Sequence, residues 1–417
     1  MLSPPGDPAV LQPDAQRAAD GAGRSQLLDD RRGDRASRAA PAAAPVSRAV
    51  WDDQQVLDIA SAWAAGHLDD GDAVLIVDET ADEKSSGTAA GAARQYSGTA
   101  GGIALCQVAV TLTYATGRGH ALIGRALYLP GGCAADEEHR ELAGVPEEVM
   151  FASKPQLAAG LLDRAQSLGI RAAFVAGDEV YGGRELRRGI RQRGMGYVLA
   201  VRANHAVTTG SGRTVTAAGA AGLIPARAWH RMRTGSGTKG TRHYDWAMLE
   251  VTSDDTPDGH GEGHSVLLAR RHRYTGQLSY YRCWTPGPVP LSKLIAIASA
   301  RWKIEEDHQL SKQVASLDAG QVIRWRSWHR WTAICLLACI YLAVAVALQR
   351  QHEPGSDLAG LIPVTVPELL RLLRGIVIPP PRRDRAHRLH WSDWRRRHQH
   401  RARQAHQRWN AYAEATP

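Results

Sequence analysis

A chain of 417 residues with 44% apolar and 22% charged side chains holds enough material for one large or two ordinary globular domains, which excludes a wholly disordered or fibrous polymer. Its formal charge of +9 is concentrated: ten Arg and two Asp lie between Arg382 and Arg408, a balance of +8. Such a block points to a polyanionic partner, and Trp391, Trp394 and Trp409 are interleaved with it.

In chain order, residues 1–48 are rich in Ala, Pro, Asp, Arg and Gly without apolar periodicity and are expected to be disordered. A helical lead-in covers 49–70, where Val56, Ile59, Ala60 and Trp63 recur at helical spacing. The run Ala73–Val77 is apolar, reads as a buried strand and delivers Asp78 at its end. A polar loop is expected over 81–93, then strands over 103–114 and 120–129. Residues 154–168 predict a helix stopped by Gly169, and a second apolar run, Ala172–Gly177, ends at Asp178. A helix over 185–193 and a strand over 197–201 complete a strand–helix–strand alternation, so 71–201 reads as the first part of a mixed α/β core.

Residues 202–290 change character, with strand-like pieces at 244–251, 265–270 and 278–284 separated by an Asp/Gly/His loop over 253–264; this reads as a mostly-β insertion. Helix returns in 291–350, as one helix over 291–314 and a buried one over 325–348. The apolar stretch 332–348 is shorter than a usual membrane span, so a core helix and no membrane partner are expected. Pro379, Pro380 and Pro381 break the chain within 351–417, ahead of the basic tail. The five cysteines form no CxxC pair and fit a reducing cytosol; no basic start with an apolar core marks a signal peptide, so a cytoplasmic location is expected.

Asp78, Asp178 and Glu305 are the candidate catalytic and metal-binding residues, because three carboxylates from distant segments offer the oxygen ligands that hard divalent cations take. Glu305 lies on a helix with Arg301 four residues before it and Lys312 seven after it, all on one face. Glu306 is its serious competitor, yet adjacent helical residues diverge by about 100° and the spacing favours Glu305. Asp82 and Glu179 compete more weakly, and His308 is at best a supporting group.

Arg301-x3-Glu305-x6-Lys312 resembles the third motif of bacterial insertion-sequence transposases of the DDE type, whose pattern is Tyr-x2-Arg-x3-Glu-x6-Lys; the Tyr falls at Ala298 here. Asp78 in VLIVDET and Asp178 in VAGDEVYG match the family's first two acids by context. Segments 94–101, 197–201 and 391–397 are also similar, so the resemblance runs over roughly residues 50–408. It implies a ribonuclease-H-like mixed sheet with flanking helices, interrupted by a β-rich insertion. It also implies metal-dependent DNA cleavage and strand transfer, two Mg²⁺ ions with Mn²⁺ as a substitute, and a homodimer on DNA at the bacterial nucleoid. Arg301, Lys312 and the tail residues Arg395, Arg396 and Arg397 are the expected DNA contacts. The alternative left open is a degraded, DNA-binding remnant that does not cut.

Overall fold

The computed structural model describes residues 49–98, 100–237, 240–352, 362–378 and 384–415. The expected disorder of 1–48 and the break at 379–381 lie outside these residues. Helix α1 (Asp53–Leu68) begins at Asp52, whose carboxylate accepts from the backbone of Gln54 and Gln55, both at 2.9 Å. The chain then enters a ten-stranded sheet.

The sheet is built from two kinds of pairing. Strands β1 (Val74–Glu83), β2 (Ala93–Ser97), β3 (Gly102–Ala115) and β4 (His120–Tyr128) pair antiparallel about β3. Helix α2 (Lys154–Ser167) then crosses over to β5 (Phe174–Gly177), which lies parallel to β1, and helix α3 (Arg184–Gln192) leads to β6 (Gly196–Val201), parallel to β5. Every residue of Val74–Val77 and of Phe174–Gly177 is buried, because both faces of this centre are covered; that is why the two strands read as continuous apolar runs.

Residues 202–290 carry a small hairpin, β7 (Ala206–Thr208) with β8 (Thr214–Thr216), a short helix at Ala217–Gly222, and four strands. These are β9 (His230–Gly237), β10 (Gly240–Glu250), β11 (His264–Arg271) and β12 (Leu278–Thr285). They do not form a separate sheet. β12 pairs antiparallel with β6, so the order runs β2-β3-β1-β5-β6-β12-β11-β10-β9. The Asp/Gly/His loop is anchored by buried guanidiniums: Arg187 and Arg282 each lie 2.7 Å from Asp254, and Arg191 lies 2.8 Å from Asp255.

Helices α4 (Leu291–Ala300) and α5 (Trp302–Ala315) stand where one continuous helix was expected. The break falls at Arg301, just after the Ser299 hydroxyl donates to the Ile295 carbonyl at 2.7 Å, a back-bond that bends helices. Helix α6 (Trp325–His352) is long and apolar enough to cross a membrane, but it packs on α1, β4 and α5, with Leu336, Ile340 and Val344 in the main core. The basic tail is a helix as well, α7 (Arg385–Ala415). The whole is a large mixed sheet flanked by helices, consistent with a ribonuclease-H-like fold.

Candidate active site

The register of two parallel strands brings the first two acids together. Val77 is paired with Gly177 at the last rung between β1 and β5, so Asp78 and Asp178 are the next residues along the two neighbouring segments. β5 stops there, while β1 runs on to Glu83 against β3 alone. Asp78 therefore sits midway along a strand, at the point where one edge of that strand opens; residues 81–83, expected in a loop, are strand. Gly177 is required by the closeness of this packing: a Cβ there would meet Val77 Cγ2 at 2.9 Å and Leu199 Cδ2 at 3.1 Å.

Asp78 is 7% exposed. Burial first, and then the neighbouring charge of Asp178, push its pKa up to about 7, against the pull of Arg301. Burial also raises the Asp178 pKa, although the Val180 amide donates to its Oδ1 at 2.9 Å. The pair is short of positive charge.

Glu79 joins them. Oxygen atoms of Asp78, Glu79 and Asp178 lie within 4.8 Å of one another. Sequence reasoning passed over Glu79, and its signal was the second acid in the Asp78–Glu79 pair at the strand's opening. Consecutive strand residues face opposite sides of a sheet. On one side Arg301 Nη1 donates to Asp78 Oδ2 at 3.1 Å; on the other Lys154 Nζ donates to Glu79 Oε1 at 2.6 Å and the Tyr181 hydroxyl to Glu79 Oε2 at 2.7 Å. The buried Tyr181 phenol is held well above its ordinary pKa by burial and by Glu79.

Glu305 reaches the same place through Arg301, whose Nη1 lies 3.6 Å from Glu305 Oε1. Glu306 points elsewhere, onto His120 Nε2 at 3.4 Å. Burial opposes a charge on that ring, but Asp307, with its Oδ1 2.9 Å from Nδ1, and Glu306 raise the His120 pKa to about 9. His308 supports the strand: its Nε2 lies 2.8 Å from the Thr111 hydroxyl, which donates to the Asp78 carbonyl at 3.1 Å. Burial holds this imidazole neutral, with its pKa pushed down to about 3.

Lys312 faces β1 further along, donating to the Ala81 carbonyl at 3.2 Å with Asp82 at 3.7 Å. Arg395, Arg396 and Arg397 are exposed on α7, and Arg397 pairs with Asp393 at 2.6 Å. Among the described residues none of the three makes an ion pair with the acids. Gln95 donates to the Cys106 carbonyl, Tyr96 is 71% exposed, Trp246 is core and Trp229 lies under Arg271. Glu179 pairs with Arg202 at 3.5 Å.

The chain matches a family model described as a DDE superfamily endonuclease over residues 38–228 and one described as a transposase DDE domain over residues 152–342. These matches support a transposase or endonuclease of the DDE superfamily. Asp78 falls in the first match, Glu305 in the second and Asp178 in both. No curated protein matches the chain. Asp78 and Asp178 thus lie together at one opening of the sheet with Glu79, while Glu305 stands outside that cluster and is linked to it through Arg301.

Proposed function

We propose that the chain is a DNA transposase that cuts the ends of a mobile element and joins the freed 3′-OH to target DNA. The observation that carries this reading is the meeting of Asp78 and Asp178 at the end of one strand rung, with Arg301 tying Glu305 to them. The donors suit divalent ions: they are carboxylate oxygens from Asp78, Glu79 and Asp178 that lie within 4.8 Å of one another. Asp78, Asp178 and Glu305 would hold two Mg²⁺, with Mn²⁺ as a substitute. When bound, such ions supply the charge that an in-line displacement at phosphorus needs on its attacking and leaving oxygens.

The chain's own residues do the rest. Asp78 is held within β1, and Asp178 directly follows the β5 residue paired with Val77. Arg301 offsets part of the charge on Asp78 in the free protein and is placed to take a phosphate oxygen. Lys312 anchors α5 to β1 beside Asp82, and Arg395, Arg396 and Arg397 add sequence-independent affinity for DNA from α7. Joining two ends calls for two subunits, so the working form is a homodimer on DNA. Separate Asp78→Ala, Asp178→Ala and Glu305→Ala variants test the assignment: each abolishes strand cleavage and keeps DNA binding within a few fold. Cleavage that survives in Asp78→Ala contradicts it.

A further inference from the structure

Lys154 breaks a local rule. It is the first residue of α2, directly after the N-cap Ser153, where the helix dipole disfavours a positive charge. Its reason for being there lies across the sheet. Its ammonium donates to Glu79 Oε1 at 2.6 Å and lies 5.8 Å from the centre of the Tyr128 ring. Glu79 in turn is fixed from its other oxygen by the buried Tyr181 hydroxyl at 2.7 Å. Among the described residues Glu79 is the one hydrogen-bond acceptor of this ammonium, which has three N–H donors and is 26% exposed.

Two cations therefore flank the acids from opposite faces of β1, Arg301 at Asp78 and Lys154 at Glu79. Lys312 is not equivalent to either. It is bound at Asp82, four strand residues beyond Asp78, roughly 13 Å away at ~3.3 Å per residue. We propose that Lys154 is a phosphate-binding residue of the active site, taking a nonbridging oxygen of the DNA backbone beside the cut, and that Glu79 and Tyr181 are its positioning residues. The proposal rests on the transposase reading for its location but not for its chemistry. A shared ammonium keeps one N–H on Glu79 and offers the others to a phosphate, so the pair need not separate when DNA arrives.

The test uses the full chain and a duplex of arbitrary sequence, about 30 base pairs long, with binding measured by fluorescence anisotropy across a salt series. Lys154→Met is expected to reduce the slope of log K against log salt by about one phosphate contact, near 0.9. Lys154→Arg is expected to restore most of it. Tyr181→Phe, which loosens Glu79 without touching the ammonium, is expected to keep the slope but slow Mg²⁺-dependent cutting at least tenfold. An unchanged slope in Lys154→Met, with folding verified by circular dichroism, overturns the proposal even where cutting is lost. Loss of slope in a chain that never cuts would sink the transposase reading and leave the phosphate contact standing.

Discussion

Arg301 and Asp78 are joined across 223 positions of sequence by one hydrogen bond, Nη1 to Oδ2 at 3.1 Å, and the same nitrogen lies 3.6 Å from Glu305. A guanidinium thus stands between two acids that the sheet and the helix present to each other. Arg301 stands between α4 and α5, one turn before Glu305. Removing it leaves the buried Asp78 with one opposing charge fewer. Arg301→Ala is expected to lower metal-free stability at pH 8 by on the order of 1–2 kcal/mol. An Arg301→Ala/Asp78→Asn double variant should recover most of that loss in urea unfolding, and strictly additive losses would contradict the coupling.

The raised Asp78 pKa has a defined sign. With 3.8 for the free acid and about 7 in the fold, the folded chain binds the proton more tightly, so this group's contribution is most favourable below pH 4 and is lost as the pH rises toward 7. Asp78→Asn should therefore raise the metal-free Tm at pH 8, by on the order of 2 kcal/mol in stability, and change it little at pH 4. Added Mg²⁺ should stabilise the parent at pH 8 and not the variant. Differential scanning fluorimetry at the two pH values reads both effects, and a variant that melts lower at pH 8 counts against the buried-charge account.

Glu305 and Glu306 are separated by their partners. Glu306→Gln loses its ion pair with His120, whose pKa of about 9 means that the pair's stability is full below pH 6.5 and is lost as the pH passes 9. The variant should be destabilised at pH 7 by about 1 kcal/mol or less, since Glu306 is half exposed, and should still cut DNA. Glu305→Gln should keep its stability and lose cutting. The reverse pattern would move the catalytic role to Glu306.

Gly177 tests whether strand register places Asp178. Gly177→Ala pushes a methyl against Val77, Leu199 and Tyr181, at a cost of about 1–3 kcal/mol. Because Tyr181 holds Glu79, cutting should fall further than the loss of folded protein explains. A single-turnover assay in the cold, where the variant remains folded, measures that excess directly.

The acids at 78 and 178 were legible because each ends a run of buried strand residues, a pattern that both burial and sheet pairing impose. Glu305 was legible through its helical spacing to Arg301. Glu79 was not, since nothing local distinguishes a strand residue that faces Lys154 and Tyr181 from a solvent-facing acid. The interruption at Arg301 escaped for a similar reason: a Ser back-bond leaves no mark on apolar periodicity. The β-rich segment was visible as strand, but its joining to β6 depends on pairing between residues far apart in sequence, such as Val198 with Cys283, which no local window contains. The loop over 253–264 looked like a spacer, whereas three buried arginines make it an anchor. In the tail, the charge block pointed to a polyanionic partner and said nothing of a helix, along which Trp391 meets Trp394 edge-on and Trp394 stacks on His398.

The most direct measurement is cleavage of a duplex carrying the element's own ends, run in parallel with Mg²⁺ and with EDTA. Mg²⁺-dependent nicking that exposes a 3′-OH is expected, lost in Asp78→Asn and absent with EDTA. Binding with no cut under either condition, in protein shown to be folded, would contradict it and leave a DNA-binding remnant in its place.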